Sequence, residues 1–158
     1  MNTRLDFHRD TIKYFAMFAM LLNHISYIFM EAGTFWAELF TDIGYFTAIT
    51  MCYFLVEGFE YTHSRKQYGK RLLVFAAVSQ LPYCLARTKG KMLNITEMNM
   101  IFTLLLCFFI LCVLKYVKLK EWKYSLIFLL VMVSLISDWA LLAPVFTLLF
   151  AWAKGNAK

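Results

Sequence analysis

The sequence has few of the residues that soluble folds use at their surfaces and turns. Only 16% of its 158 residues are charged, and it has six glycines and two prolines, whereas an ordinary soluble domain is about 25% charged. Hydrophobic residues make up 61% of the chain. A small domain buries only about 60–70% of its surface, so many of these side chains would face water. The composition excludes a soluble enzyme, a disordered regulator and a disulfide-stabilised secreted domain, and it predicts a membrane protein.

The sequence also lacks the cysteine and histidine patterns that are typical of redox and metal sites. The four cysteines lie inside apolar stretches, without a CxxC pair or metal-ligand spacing to a histidine. We therefore expect free buried thiols and no bound metal. No small-residue cleavage site follows the first apolar run, so we expect no cleaved signal peptide.

Six uncharged apolar runs are present instead, and a mean hydropathy of +0.62 agrees with them. Backbone polar groups in lipid must be satisfied within each segment, so the runs should be helical. We predict an all-α, polytopic transmembrane bundle of about six spans, forming a single domain over residues 1–158. The runs are Tyr14–Met30, Ile43–Val56, Leu72–Ala86, Met98–Leu114, Tyr124–Ser137 and Trp139–Ala153.

Basic residues cluster between alternate runs. If the N-terminus is cytoplasmic, 13 of the 16 Lys and Arg residues fall on the inner side, as the positive-inside rule requires. The three exceptions belong to one predicted outer loop, Arg87–Glu97. Both termini are therefore predicted to be cytoplasmic. The net charge of +6 reflects this topology, and no nucleic-acid partner is expected.

A histidine lies inside the first run, where ionisable side chains are rare and usually functional. His24 follows Lys13 by eleven residues, close to three helical turns, so both point to one side, about 16 Å apart along the axis. Imidazole titrates near neutral pH, which suits a general base. The alternative is a neutral core histidine bonded to a neighbouring carbonyl.

The second run also carries polar residues. Thr50, Tyr53 and Glu57 are spaced to share one helix face. Glu57 precedes a basic cluster, and a structural salt bridge to that cluster is its alternative role. The cluster consists of Arg65, Lys66, Lys70 and Arg71.

Three further polar residues are expected near the outer ends of the spans. Asp42, Asn99 and Asp138 each suit a helix cap or turn. Together they also suit a polar outer mouth.

Five short motifs follow one another along the chain in an order that can be compared with known families. The first motif combines Lys13 with Asn23-His24. The segment from Gly44 to Leu73 follows, with a glycine, E-G-F-x-x-T, a basic stretch, a tyrosine and R-L. The segments VFAAVSQLPY and NMIFTL come after it. Over roughly residues 11–150 these motifs resemble the TraX family, membrane proteins named for the F-pilin acetyltransferase. Asn23 stands where the family has an aspartate, and Tyr45 where it has an arginine.

The resemblance implies an integral acetyltransferase of the bacterial cytoplasmic membrane. It would move an acetyl group from cytoplasmic acetyl-CoA to a peptide N-terminus or to a hydroxyl of a peptide or glycan. The predicted catalytic residues are His24, Asn23 and Glu57. The predicted acetyl-CoA ligands are Lys13, Arg65, Lys66, Lys70 and Arg71. The predicted substrate or oxyanion residues are Asp42, Thr50, Tyr53, Asn99 and Thr103.

Three other functions fit the same residues. A non-catalytic family member could act in immunity, assembly or peptide binding. A small transporter could use His24 and Glu57 on a proton path. A membrane adaptor would use its buried polar residues only for packing. The aromatic-rich surface suits contact with the lipid bilayer and equally a homodimer interface.

Overall fold

A computed structural model describes residues 9–31, 33–87 and 98–156. Within these ranges the chain forms six α-helices and no strand, and each predicted run coincides with one helix. The all-helical class is therefore confirmed. The predicted outer loop at 88–97 lies outside the described residues. The helices are α1 (Arg9–Phe29), α2 (Phe35–Tyr61), α3 (Arg65–Arg87), α4 (Met100–Tyr116), α5 (Lys120–Ser134) and α6 (Leu142–Asn156).

The helices differ in their ability to cross a membrane. Of the described segments, Thr11–Phe29 and Phe35–Tyr61 are long and apolar enough to span. Helices α5 and α6 have 15 residues each, about 22 Å at 1.5 Å per residue, which is shorter than a hydrocarbon core of about 30 Å. Large side chains such as Phe15, Phe75 and Phe128 are nevertheless exposed, which is consistent with a membrane protein.

The chain forms two compact units, residues 1–51 and 52–158, with the boundary inside α2. A single domain over residues 1–158 remains a prediction.

The first unit pairs α1 with the N-terminal part of α2 through small residues. Ala16, Ala19 and Ser26 of α1 are buried, and small side chains let helix backbones approach closely. Ser26 Oγ donates to the Ala37 carbonyl at 2.9 Å, and Thr47 Oγ1 donates to the Ala16 carbonyl at 2.9 Å. Hydroxyl-to-carbonyl bonds therefore join the two helices near both ends of their contact.

The second unit is built around α4, which packs against α3, α5 and α6. Its core contains an aromatic cluster of Phe59, Tyr68 and Phe108, in which Phe108 lies edge-on to the other two rings at 5.5 and 5.6 Å. Gly69 permits this packing, because a Cβ there would lie 2.8 Å from Phe108 Cε1. Burial raises the pKa of the Tyr68 phenol above its usual range, so Tyr68 is neutral at physiological pH.

Candidate functional site

The predicted base and its partner cation lie on one helix of the first unit. His24 is half-buried on α1, and Lys13, in the first turns of the same helix, is exposed. Eleven residues of uninterrupted helix separate them, so the predicted spacing of about 16 Å holds. In the described part of this unit, no group hydrogen-bonds to the His24 imidazole. Among the described residues of the first unit, the ring nitrogens are therefore not engaged by a backbone carbonyl.

Asn23, the predicted orienting neighbour of His24, is engaged with α2. Its Nδ2 donates to the Thr41 carbonyl at 3.4 Å, and its side chain covers Gly44. A Cβ at position 44 would lie 2.6 Å from Asn23 Cγ. Asn23 thus contributes to helix packing, and its assignment to catalysis remains a prediction.

The predicted polar residues of α2 differ in burial. Thr50 is buried, and its Oγ1 donates to the Phe46 carbonyl at 2.7 Å. Asp42 is exposed, Glu57 is half-buried, and Tyr53 is 46% exposed. The hydroxyl proton of Thr50 is already donated within its own helix, whereas the Tyr53 hydroxyl belongs to a side chain that is nearly half exposed. Their predicted roles towards substrate remain untested by these contacts.

The basic cluster at the start of α3 is divided in the structure. Arg65 turns inward: Nε donates to the Phe59 carbonyl at 3.2 Å, and Nη1 donates to the Tyr116 hydroxyl at 3.1 Å. Its guanidinium lies 4.9 Å from the centre of the Phe59 ring. The remaining cations, Lys66, Lys70 and Arg71, are exposed. Arg65 therefore joins α2, α3 and α4, and the other three remain accessible to an anion.

Asn99 and Thr103 lie in a buried junction at the start of α4. Asn99 caps the helix, because its Oδ1 accepts from the Phe102 N–H at 2.9 Å, and its Nδ2 donates to the Ala76 carbonyl at 2.9 Å. Thr103 Oγ1 donates to the Asp138 carbonyl. These bonds confirm the capping alternative for Asn99. They also engage the Thr103 hydroxyl proton and one of the two N–H groups of the Asn99 amide; the oxyanion role of both residues remains a prediction.

Sequence reasoning missed a cavity of about 610 Å³ in the second unit. It lies where the C-terminal turns of α2, α4 and α6 meet, and its walls are mostly apolar. Two lysines that the sequence treated only as topology signals stand in it. The available signal in the sequence was their position in the last turns of α4 and α6, with Trp152 two residues before Lys154. The lining includes Phe59, Glu60, Leu111, Lys115, Trp152 and Lys154.

The two lysines of this cavity have different neighbours. Lys115 Nζ lies 3.5 Å from Glu60 Oε1. Lys154 Nζ lies over the Tyr61 ring, 4.6 Å from its centre. In the described part of the chain, no carboxylate lies within salt-bridge distance of Lys154. The cavity therefore combines an apolar interior with a cation that lies against an aromatic ring and, among the described residues, has no carboxylate in salt-bridge range.

Comparison with known proteins identifies the family. The family model described as TraX protein matches residues 8–155. The chain belongs to the TraX family. The chain is also similar to a curated protein of Dichelobacter nodosus named "Probable fimbrial assembly protein FimC, serogroup H1", at 30% identity over 158 residues. The match covers 96% of this chain and 64% of that relative. No solved structure matches the chain.

The TraX motif residues include several with a packing role. Gly58 lies against Tyr68, since a Cβ at position 58 would be 3.0 Å from the Tyr68 hydroxyl. Phe59 and Tyr68 belong to the aromatic cluster around Phe108. Gly58, Phe59 and Tyr68 therefore contribute to the packing of the second unit.

Proposed function

We propose that this TraX-family protein is a membrane acetyltransferase that moves an acetyl group from cytoplasmic acetyl-CoA to an amine, such as a peptide N-terminus, or to a hydroxyl. His24 accepts the proton of the attacking amine. The amine nitrogen bonds to the acetyl carbon as the carbon–sulfur bond breaks. The imidazolium then returns the proton to the coenzyme A thiolate, so the products are an amide and free coenzyme A.

One observation carries this proposal: His24 is half-buried within a helix able to span a membrane, and no group of the described first unit hydrogen-bonds to it. An ionisable side chain at membrane depth is costly and usually functional. A ring without a structural hydrogen bond is available to a substrate proton. Family membership supports the same chemistry through the protein for which the family is named.

Lys13 supplies the second element. Its separation from His24, about 16 Å along α1, is comparable to the length of the pantetheine arm of coenzyme A. We propose that Lys13 binds the phosphate groups of coenzyme A and that the thioester lies at His24, on the same side of α1. Lys66, Lys70 and Arg71 belong to the second unit and are exposed, so each is accessible to an anion, and their role towards acetyl-CoA stays a prediction.

We further propose a multi-pass arrangement in the bacterial cytoplasmic membrane. The last turns of α4 and α6 carry Lys115 and Lys154, which the positive-inside rule places on the cytoplasmic side. Acetyl-CoA is cytoplasmic, so its binding groups must be reached from that side.

The test is release of coenzyme A from acetyl-CoA by the purified protein in detergent, with a synthetic peptide bearing a free N-terminal amine as acceptor. Loss of a general base lowers rates by about 10²–10⁴-fold, so we expect this loss in His24→Ala. His63→Ala is the matched control, because His63 is exposed in the segment between α2 and α3. Wild-type turnover by His24→Ala would refute the mechanism.

A non-catalytic assembly role is the second candidate. It is favoured by the name of the Dichelobacter relative, a probable fimbrial assembly protein, and by the engagement of Asn23 with Gly44 and Thr41. In this case the wild-type protein would release no coenzyme A. It would also gain no thermal protection from coenzyme A, whereas an acetyltransferase would be stabilised by ligand binding.

A further inference from the structure

The cavity between the ends of α2, α4 and α6 has the properties of a ligand site. Its volume of about 610 Å³ lies within the range of about 300–1,000 Å³ typical of small-molecule sites. Leu111, Leu114, Leu148 and Ala151 form an apolar interior, and all polar groups stand near the helix ends. A ligand that fills this space must therefore have an apolar portion and one polar end.

The charged residues of the lining indicate which charge the polar end of the ligand carries. Glu60, Lys115 and Lys154 are its three charged residues, so the net charge is +1. Glu60 and Lys115 neutralise each other at 3.5 Å. Lys154 has the Tyr61 ring as its neighbour and, among the described residues, no carboxylate within salt-bridge distance. One negative charge on the ligand would balance the site.

Coenzyme A fits this lining poorly. Its three phosphate groups need several cations, and its adenine needs polar partners, whereas the cavity offers one unneutralised cation and mostly apolar walls. A phosphodiester with an alkyl chain needs one cation and an apolar channel. Trp152 at the rim is 69% exposed and Tyr61 is 71% exposed, as amphipathic rings are at the headgroup level of a bilayer.

We propose that this cavity binds an anionic phospholipid of the cytoplasmic leaflet, with its phosphate on Lys154 and an acyl chain between α4 and α6. Basic pockets between helices on the cytoplasmic side are recognised sites for anionic headgroups. The cavity is lined by residues of the second unit, whereas Lys13 and His24 belong to the first. The lipid is not a substrate of the proposed reaction.

The test compares the melting temperature of the detergent-purified protein with added phosphatidylglycerol or phosphatidylcholine. At a lipid concentration roughly a hundredfold above the Kd, phosphatidylglycerol should raise the melting temperature by about 5–10 °C. Phosphatidylcholine should raise it much less, because its headgroup has no net charge. In Lys154→Gln the affinity for phosphatidylglycerol should fall by about tenfold, the loss of one charge-assisted hydrogen bond. Lys118→Gln has the same charge change in the exposed segment after α4 and should respond as the wild type does.

A second variant tests the apolar part of the site independently of charge. Ala151→Phe fills the cavity with a ring and should also remove the response to phosphatidylglycerol. Equal responses to both lipids, or an undiminished response in Lys154→Gln, would overturn the proposal. So would an equal effect of inorganic phosphate, which has no acyl chain, or a Lys154-dependent stabilisation by coenzyme A, which would assign the cavity to the thioester donor. Acetyl transfer does not enter these measurements, so their failure leaves the proposed reaction untouched.

Discussion

The side chain of Asn23 on α1 covers Gly44 on α2, so that any Cβ at position 44 would lie 2.6 Å from Asn23 Cγ and 2.8 Å from Asn23 Cβ. The amide is held there by a hydrogen bond from Nδ2 to the Thr41 carbonyl at 3.4 Å. The residue next to the predicted base therefore has a packing role in the first unit, and the glycine is required by the closeness of the two helices.

Gly44→Ala should destabilise the protein, because the added methyl group must displace Asn23 or separate the helices. Overpacking of this kind costs about 1–3 kcal/mol, and 1 kcal/mol lowers the melting temperature of a chain of this size by about 2–4 °C. Gly155→Ala is the control, since a Cβ at position 155 meets no atom within 4 Å. A thermal melt of both variants measures the difference.

The double variant Gly44→Ala with Asn23→Ala tests the cause of this loss. Removal of the Asn23 amide relieves part of the clash, so the two substitutions together should cost less than the sum of their separate effects. Additive costs would show that Asn23 is not the group that excludes a side chain at position 44.

Arg65→Ala should destabilise the second unit, whereas Lys66→Ala should not. Arg65 donates to the Phe59 carbonyl and to the Tyr116 hydroxyl, and we expect the loss of these partly exposed bonds to cost about 1–2 kcal/mol. Lys66 is exposed, and surface substitutions of this kind change stability by about 0.5 kcal/mol or less. Equal melting temperatures for the two variants would contradict the division of the basic cluster.

Asn99→Ala should be destabilising, because it removes a helix cap and the hydrogen bond from Asn99 Nδ2 to the Ala76 carbonyl. The cap is worth about 1 kcal/mol, and the second hydrogen bond about 0.5–1.5 kcal/mol more. Asn156→Ala, at the exposed end of α6, is the matched control. A well-folded Asn99→Ala protein that lacks only turnover would instead favour the oxyanion role predicted from the sequence.

The helices could be predicted from the sequence because each depends on local composition. Uncharged apolar runs must be helical if they lie in lipid, and the run containing His24 has the length of a span by itself. The direction of each side chain could not be predicted in the same way. Arg65 has the same charge as Lys66, and only the packing of α2 and α4 around it turns it inward.

The cavity at the ends of α2, α4 and α6 could not be predicted from the sequence either. Lys115 and Lys154 are 39 positions apart in the sequence, and their common feature there is that each directly follows an apolar run. Topology rules explain such lysines completely. Their convergence with Phe59 and Glu60 depends on the packing of three helix ends, which no local pattern contains.

Lys13→Ala should mainly raise the KM for acetyl-CoA if Lys13 binds phosphate. The proton transfer at His24 is about 16 Å away along α1, so kcat should change little, and Lys13→Arg should restore binding because a guanidinium also binds phosphate. Steady-state kinetics with acetyl-CoA as the varied substrate separate the two constants. A loss of kcat without a change in KM would remove Lys13 from the donor site.

Asn23→Asp separates the two candidate functions, because it changes one atom of the packed amide and creates the carboxylate that the resemblance to the TraX motifs predicts beside the histidine. An aspartate cannot donate to the Thr41 carbonyl, so the melting temperature should fall by about 2–4 °C for each kcal/mol lost. If the chain catalyses acetyl transfer, a carboxylate beside His24 should favour the imidazolium formed during the reaction, and coenzyme A release should rise above that of the wild type. Asn23→Ala controls for the lost amide, since it removes the hydrogen bond without adding charge. A stability loss with no coenzyme A release from either variant or the wild type would favour the assembly role, in which Asn23 serves only to join α1 to α2.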